Sequence, residues 1–367
     1  MRRETPADKA SGAIRLVTTS MIVYDGIVFS LQRTGGISVL FKEIISRLPG
    51  ASYRLVGFRD APPTELPGAS YEARVPRRFE RYRRADFGAG ADLFHSTYYR
   101  LPATRGAKVV TTVYDFVYER FASLPRRLVH SAQKRRALAG SDRIICISES
   151  TRRDLLEFMG HRYEDRAVVV PLAASEAFHA LPDVERRPQV LFVGARGGYK
   201  NFTAVVEALS MLPDLWLICV GGGPLTAEER ARLERSVPGR YRAAGYLSDA
   251  DLNVEYNRSF CLTYPSLYEG FGIPVLEAMR AGCPVIAVNG SAIPEVAGEA
   301  ALLLKSGHPD ELRTAIARLT DSATRRDFIG LGTDRAAGFT WDETFRRTVA
   351  LYEQLAGRPM SAWPWYG

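Results

Sequence analysis

Short apolar runs alternate with amphipathic runs along most of the chain, a pattern that predicts strands followed by helices. In the first half, strands are predicted at 20–25, 53–58, 92–97, 108–115 and 142–148, and helices at 35–48, 124–140 and 148–160. The helix at 35–48 has apolar residues at helical spacing, namely Ile37, Leu40, Phe41, Ile44, Ile45 and Leu48. The other two helices each end at a glycine, where a C-terminal cap is expected.

The second half repeats the alternation. Strands are predicted at 189–194, 215–220, 242–247, 259–266, 284–289 and 300–305, with helices at 201–212, 226–236, 248–258 and 273–282 and three more after 305. Strands alternating with helices favour parallel sheets covered on both faces. The pattern therefore predicts an α/β fold of two doubly wound, Rossmann-like domains, whose ligands would bind beyond the carboxyl ends of the strands in a cleft between them.

A polar, proline-bearing stretch at 175–188 separates the two halves. We expect an N-terminal Rossmann-like domain over 1–174, a linker over 175–187 and a second Rossmann-like domain over 188–340. We expect the C-terminal helix and tail, 341–367, to pack back toward the first domain. A chain of 367 residues fits two domains at about 100–200 residues each.

Composition is that of a globular protein, with 46% hydrophobic and 25% charged residues. The apolar runs fall short of the ~18–20 residues that would span a bilayer. The N-terminus is basic without an apolar segment typical of secretion signals, so a cytoplasmic protein is expected. The cysteines, Cys146, Cys219, Cys261 and Cys283, are far apart, which favours buried thiols over a zinc site or redox pair.

The net charge of +8 is unevenly distributed. Residues 1–175 contain 29 Lys and Arg against 18 Asp and Glu, and the excess is concentrated at 76–84 and 125–136. A basic half suggests an anionic partner, which could be the inner face of a membrane, a phosphorylated acceptor or nucleic acid. A solvated basic surface without a partner explains the charge equally well.

The stretch Tyr264–Met279 places two acids around a turn from a strand into a helix. Glu269 precedes the turn and Glu277 lies within the helix. The free N–H groups at a helix start favour anions and sugar hydroxyl oxygens, and Gly270 and Gly272 let a ligand approach the backbone. Since a carboxylate can accept two hydroxyl hydrogens, this corner could hold a sugar at one end and a nucleoside at the other. Acids at a solvated helix start are the alternative.

A second candidate site is the loop Val193–Phe202, where a strand leads through glycines into a helix. Arg196 and Lys200 could bind a diphosphate there together with the helix start. The loop lacks the spacing of a Walker A loop, and 220–224 lacks the rest of a dinucleotide fingerprint.

These motifs together resemble retaining glycosyltransferases of family 4, which have the GT-B fold and include bacterial envelope polysaccharide enzymes. Glu269 and Glu277 match the family's E-x7-E motif within "PSLYEGFGIPVLEAMRAG", and "FVGARGGYKNF" is similar to its phosphate-binding loop. "GGISVLFKEI", which begins at Gly35, is similar to its N-terminal glycine loop. The resemblance covers nearly the whole chain and is strongest over 188–345.

The resemblance implies that 1–174 is the acceptor-side domain and 188–340 the nucleotide-sugar domain, and it implies a role for each matching residue. Glu269, Arg196 and Lys200 would be catalytic: Glu269 would contact the donor sugar, and the two cations would stabilise the leaving diphosphate. Glu277 would hold the ribose hydroxyls. The further donor-binding residues would be Gly35, Gly36, Gly194, Phe271 and Gly272.

The chain departs from the family where a His-Asp pair is usual, because Tyr114 and Asp115 occupy those positions. A phenol, with a reference pKa of about 10, donates a hydrogen bond but is a poor base at neutral pH. Tyr114 and Asp115 are candidates for the sugar or acceptor pocket. His95, at the end of a predicted strand, is either a third member of that pocket or a structural histidine.

The sequence predicts no metal requirement and no cofactor beyond a nucleoside diphosphate sugar as substrate. Asp249 and Asp251 imitate a D-x-D metal motif, but Ser248 and Asp251 also form a capping pattern that opens a helix, which we favour. We expect a hexose, with GDP-mannose as the weakly favoured donor, to reach a hydroxyl of a saccharide or lipid-linked acceptor. The alternatives are a GT-B nucleotide-sugar epimerase and a basic nucleic-acid-binding protein.

Overall fold

Two parallel sheets form the framework of the molecule. The computed structural model describes residues 22–32, 35–49, 52–66, 70–88 and 90–359. The strands of the first sheet are β1 (Ile22–Asp25), β2 (Tyr53–Gly57), β3 (Tyr71–Ala73), β4 (Leu93–Ser96), β5 (Lys108–Val113), β6 (Arg143–Cys146) and β7 (Ala167–Val169). Those of the second are β8 (Gln189–Val193), β9 (Trp216–Val220), β10 (Tyr241–Gly245), β11 (Cys261–Tyr264), β12 (Val285–Val288) and β13 (Leu302–Leu304).

The strand orders are β3-β2-β1-β4-β5-β6-β7 and β10-β9-β8-β11-β12-β13. Each neighbouring pair is parallel. In both sheets the order reverses beside the first strand, the doubly wound arrangement that places ligand sites at the carboxyl ends of the strands. The predicted fold class is confirmed.

Helices accompany both sheets. Those up to the end of the first sheet are α1 (Val28–Leu31), α2 (Gly36–Ser46), α3 (Val117–Phe121), α4 (Leu124–Ala139) and α5 (Glu149–Met159). Those that follow are α6 (Phe202–Ser210), α7 (Ala227–Ser236), α8 (Asp249–Arg258), α9 (Ile273–Arg280), α10 (Ile293–Ala297), α11 (Pro309–Arg318), α12 (Ser322–Ala337) and α13 (Trp341–Ala356). In the described part of the chain, no helix has both the length and the apolarity needed to cross a membrane.

The cap interpretation of the D-x-D sequence is confirmed by hydrogen bonds at the start of α8. The Ser248 hydroxyl accepts a hydrogen bond from the Asp251 backbone N–H at 3.2 Å and donates one to the Asp251 carboxylate at 2.6 Å. These contacts satisfy one of the free N–H groups of the first turn. Asp251 therefore takes part in the N-terminal cap of α8.

The cores of the two domains are continuous. One cluster of buried apolar side chains extends from β1 and α2 across the interface to α9, and separate clusters fill the remaining faces of the two sheets. The four cysteines are buried and unpaired, as predicted. Burial raises the pKa of the Cys146 thiol to about 12, because an apolar surrounding disfavours the thiolate.

The predicted linker is packed against α8. The Asn253 side chain accepts a hydrogen bond from the backbone N–H of His179 at 3.1 Å, and the Asn257 side chain accepts one from Leu181 at 2.7 Å. The buried ring of Phe178 packs edge-on against Tyr256. Sequence composition identified the connection between the sheets, but these amide contacts hold it to the second domain.

The C-terminal helix α13 lies on the first domain. The Tyr352 hydroxyl bonds to the Tyr24 hydroxyl at 2.9 Å and to His95 Nδ1 at 2.6 Å, and the Thr344 hydroxyl donates to the Pro171 carbonyl at 2.8 Å. The predicted domain boundaries stay predictions. Their outer parts, 1–21 and 360–367, lie outside the described residues.

We predict that Tyr352→Phe lowers the free energy of unfolding by about 1–3 kcal/mol, because the buried His95 Nδ1 and Tyr24 hydroxyl lose a partner. Tyr246→Phe is the control, because that side chain is exposed. Loss of its hydroxyl should change the free energy of unfolding by less than about 0.5 kcal/mol. Urea titration followed by circular dichroism measures both. Equal effects of the two substitutions would contradict the buried network.

Candidate active site

The turn between β11 and α9 requires glycine at both predicted positions. Gly272, directly before α9, has a φ of +112°, and a Cβ there would lie 2.7 Å from Ile293 Cδ1. A Cβ on Gly270 would lie 1.9 Å from the backbone carbonyl oxygen of Tyr114, in the first domain. The tight turn thus lets the second domain approach the backbone of the first.

Hydrogen bonds fix this contact between the domains. The Gly270 carbonyl accepts hydrogen bonds from the hydroxyls of Ser148 at 2.7 Å and Thr151 at 3.1 Å, both at the start of α5. The Glu295 carboxylate accepts from the backbone N–H groups of Glu149 and Ser150. A negative charge at a helix start is favourable, so Glu295 adds to the attachment.

Tyr268, one residue before Glu269, also joins the two domains. Its hydroxyl donates to the Asp154 carboxylate at 2.6 Å and accepts from the Phe116 backbone N–H at 2.8 Å. Arg120 bonds to the other oxygen of Asp154 at 2.5 Å. The turn that carries Glu269 is therefore held by a phenol inserted into the first domain.

The structure brings the side chains of Lys200 and Glu269 together. Lys200 ends a short turn after β8, and its Nζ lies 2.5 Å from Glu269 Oε1. The two side chains are only 15% and 12% exposed. Lys200 also lies over the rings of Tyr199 and Tyr264. An ion pair screened from water in this way is electrostatically stronger than one on the surface.

Asp115 lies within electrostatic reach of this ion pair. Burial raises the pKa of Asp115, the charge of Lys134 lowers it, and the charges of Glu119 and Glu269 raise it further. Lys134 is itself buried, donating to the Glu119 carboxylate at 2.9 Å and to the Asp115 carbonyl at 2.8 Å. Asp115 also lies close to the turn that carries Glu269, since a Cβ on Gly270 would lie 3.2 Å from Asp115 Cβ.

Glu277 faces α8. Its Oε2 accepts a hydrogen bond from the Tyr256 hydroxyl at 2.8 Å. Burial raises the pKa of Glu277 to about 7, and this hydrogen bond opposes the shift. The carboxyl is thus oriented by a buried tyrosine that the sequence did not identify.

The predicted glycine loop of the first domain reaches the start of α9. Gly35 precedes α2, and a Cβ on Gly36 would lie 3.3 Å from Ile273 Cδ1. The N-terminal ends of α2 and α9 therefore lie close together, and their positive dipole ends add to the charge of Lys200. Gly194, at the end of β8, has a φ of +129°, which favours glycine. Phe271 is buried against Phe339.

Arg196 is not placed as predicted. Its guanidinium donates to the carbonyls of Gly221, Gly222, Gly223 and Pro224 at 2.7–3.2 Å and to Glu229 at 3.1 Å. Its side chain is only 2% exposed. The three glycines have positive φ, so their carbonyls converge on one donor group. Arg196 therefore supports this glycine loop, and the structure does not support a phosphate contact for it.

His95 and Tyr114 also differ from the pocket prediction. His95 is fully buried, with Nδ1 on Tyr352 and Nε2 on the Thr112 hydroxyl at 2.8 Å. Burial lowers the pKa of His95 to about 3, so the ring is neutral at physiological pH. The Tyr114 hydroxyl donates to the Thr97 carbonyl at 2.7 Å. The structural alternative is therefore correct for His95, and Tyr114 meets the second domain through its backbone carbonyl.

No group of three or more His, Cys, Asp and Glu side chains suited to a metal ion occurs among the described residues. The predicted independence from metals stays a prediction, to be tested by activity in the presence of a chelator.

The chain matches two family models. Residues 34–175 match "Glycosyltransferase Family 4" and residues 174–332 match "Glycosyl transferases group 1". The O-antigen chain mannosyltransferase B of Escherichia coli is 28% identical over 285 residues, which cover 72% of this chain and 74% of that protein. The serotype-specific mannosyltransferase WbdA of Escherichia coli is 29% identical over 238 residues, covering 59% of this chain but only 29% of that protein.

A solved structure of sucrose-phosphate synthase from Thermosynechococcus elongatus has the same fold. Its TM-score is 0.77 at 20% identity, and the alignment covers 92% of this chain and 99% of that one. Two Rossmann-like parallel-sheet domains that face each other across a cleft define the GT-B fold. The two family matches together extend over most of the chain, so the protein belongs to glycosyltransferase family 4. Both alternatives, epimerase and nucleic-acid-binding protein, are thereby disfavoured.

We predict that Gly270→Ala disrupts the contact between the domains, because its Cβ would overlap the Tyr114 carbonyl oxygen. The substitution should lower the melting temperature by about 4 °C or more, or increase the radius of gyration measured by X-ray scattering. Gly330→Ala is the matched control, since a Cβ there meets no atom within 4 Å. Unchanged melting temperature and radius in Gly270→Ala would contradict this account of the interface.

Proposed function

We propose that the enzyme transfers a hexose from a nucleoside diphosphate sugar to a hydroxyl of a saccharide or lipid-linked saccharide, with retention of anomeric configuration. Mannose from GDP-mannose is the favoured donor, and envelope polysaccharide synthesis is the favoured context. The mannosyltransferase relatives support both choices. The observation that carries the proposal is the shielded Lys200–Glu269 pair beside the start of α9.

The donor diphosphate would bind between Lys200 and the N-terminal ends of α2 and α9. Lys200 would leave Glu269 for the more highly charged diphosphate, which would free the Glu269 carboxylate to accept hydrogen bonds from the sugar. Glu277 would accept hydrogen bonds from the ribose hydroxyls, oriented by Tyr256. Asp115, beside Glu269, would contact the sugar from the first domain.

In the transfer step, the bond between the anomeric carbon and the diphosphate breaks while a bond to the acceptor oxygen forms. The acceptor proton passes to the leaving diphosphate, so the step needs no protein base. Lys200 and the two helix ends stabilise the charge that develops on the diphosphate, and such electrostatic stabilisation is usually the largest catalytic contribution. No metal ion is required in this scheme.

A surface of the first domain suits contact with an anionic membrane. This basic–apolar face comprises residues 75–84 and 121–129. Phe79, Leu124 and Leu128 are 64%, 62% and 60% exposed, and the same two segments carry exposed arginines at 77, 78, 83, 84, 126 and 127. The two segments adjoin, because Arg81 contacts His130 Nε2 at 3.0 Å and its carbonyl accepts from Gln133 at 2.9 Å.

The basic–apolar face borders the cleft. The ring of Phe121 stacks on Tyr199 of the second domain at a centroid distance of 5.2 Å, next to Lys200. Arginines beside exposed apolar side chains fit anionic headgroups above an acyl layer, and each cation near such a surface is worth about 1 kcal/mol. A lipid-linked acceptor held in the membrane would therefore enter beside the donor.

We predict that Lys200→Ala and Glu269→Ala each lower turnover by roughly 10²–10³-fold, since each removes a group that acts on the diphosphate or the donor sugar. The measurement is release of GDP from GDP-mannose with an acceptor present. Circular dichroism should show that both variants remain folded, although loss of one partner of a shielded ion pair costs some stability. Lys305→Ala and Glu299→Ala, at exposed positions, should keep full turnover. Wild-type turnover in Lys200→Ala would mean that the diphosphate binds elsewhere.

We predict that Leu128→Glu lowers binding to phosphatidylglycerol-containing vesicles by at least about tenfold, because a leucine loses ~1.5–3 kcal/mol of apolar burial. Vesicle sedimentation at low and high salt measures the binding, and added salt should weaken binding of the wild type. Leu331→Glu, at an exposed leucine of α12, is the control. Equal binding to phosphatidylcholine vesicles, or equal binding by both variants, would contradict the proposed face.

A further inference from the structure

A pocket of about 450 Å³ lies in the second domain, away from the candidate active site. Gln189 and Trp216 in its wall are the first residues of β8 and β9, so the pocket lies at the amino ends of the strands. Lys200 and Glu269 follow the carboxyl ends of β8 and β11. The pocket size is within the ~300–1,000 Å³ typical of small-molecule sites.

One wall of the pocket is flat and apolar. It is formed by Trp216, Pro188 and Ile218. Trp216 is 45% exposed, so part of its indole surface is accessible to a ligand. Aromatic faces of this kind stack on nucleobases and on other flat rings.

The lining of the pocket also includes three arginines and one carboxylate. Glu255 is buried, and its Oε1 lies 2.7 Å from Arg242 and 3.8 Å from Arg258. Its Oε2 accepts a hydrogen bond from the Gln189 side chain at 3.1 Å. Glu255 thus orients two guanidinium groups, each of which has further N–H donors to offer.

The third arginine, Arg187, makes no side-chain hydrogen bond or ion pair with any of the described residues. Its backbone N–H donates to the Arg258 carbonyl at 2.7 Å, which holds it at the rim of the pocket. Three guanidinium groups against one carboxylate leave an excess of two positive charges. A phosphate monoester, with a charge of about −1.5 to −2 at pH 7, matches this excess better than a carboxylate does.

We infer that the pocket binds a small phosphate monoester whose ring stacks on Trp216, either a nucleoside monophosphate or a sugar phosphate. The arginines bind the phosphate oxygens, since guanidinium groups suit bidentate contact with phosphate. Arg187 and Pro188 end the connection between the two sheets, so the bound ligand would link that connection to β10 through Arg242. This inference does not depend on the proposed transfer reaction.

Calorimetric titration of the full chain with GMP, mannose 1-phosphate and inorganic phosphate tests the inference. At least one of the two esters should bind at a site, seen as one binding class in the titration, that depends on Trp216. Trp216→Ala should lower the affinity of this class by about tenfold or more, as expected for the loss of ring stacking. Arg187→Gln should weaken the same class, and it removes no described side-chain contact. Met211→Ala, at an exposed position outside the pocket, should bind like the wild type.

The variant Lys200→Ala separates this site from the donor site, because it should retain the Trp216-dependent class. GMP binding alone would assign the pocket to nucleotides, and mannose 1-phosphate binding alone would assign it to sugar phosphates. The inference is overturned if neither ester shows Trp216-dependent binding. It is also overturned if inorganic phosphate binds as tightly as the esters, because the ring would then contribute nothing.

Discussion

The cleft depends on the contact between Gly270 and the backbone carbonyl of Tyr114. A glycine is required because any Cβ would overlap that oxygen. Its own carbonyl is held by Ser148 and Thr151 at the start of α5. Since Glu269 is the adjacent residue, the hydrogen bonds that join the domains also fix the position of its carboxylate. The same hydrogen bonds therefore fix both the contact between the domains and the geometry of the site.

Tyr268 strengthens this coupling. Its hydroxyl bonds to Asp154, which is also paired with Arg120. Hydrogen bonds to charged groups contribute about 1.5–3 kcal/mol, more than contacts between neutral partners. Because Tyr268 and Glu269 are neighbours in one turn, movement of the phenol out of the first domain would displace the carboxylate that faces Lys200.

Local sequence patterns predicted the structural features that depend on residues close together in the chain. Strand and helix alternation gave the two sheets, and glycine and acid spacing identified the turn that holds Glu269. The edge strands β3 and β7 were missed because β3 is half-buried or exposed throughout and only the first residue of β7 is buried, so neither shows the period of a covered strand. Arg196 was misplaced and the role of His95 was left open because their partners are distant: the carbonyls of 221–224 for Arg196, and Tyr352 for His95. Side-chain direction at such positions depends on the tertiary fold.

The return of α13 to the first domain has a consequence for synthesis on the ribosome. Tyr24 in β1 and His95 in β4 lack their hydrogen-bond partner until Tyr352 is translated, 328 residues after Tyr24. All strands of the second sheet, β8–β13, precede that helix in the chain. The domain translated first is therefore the last to bury its polar network, and nascent chains halted before α13 would expose an unfinished core to chaperones and proteases.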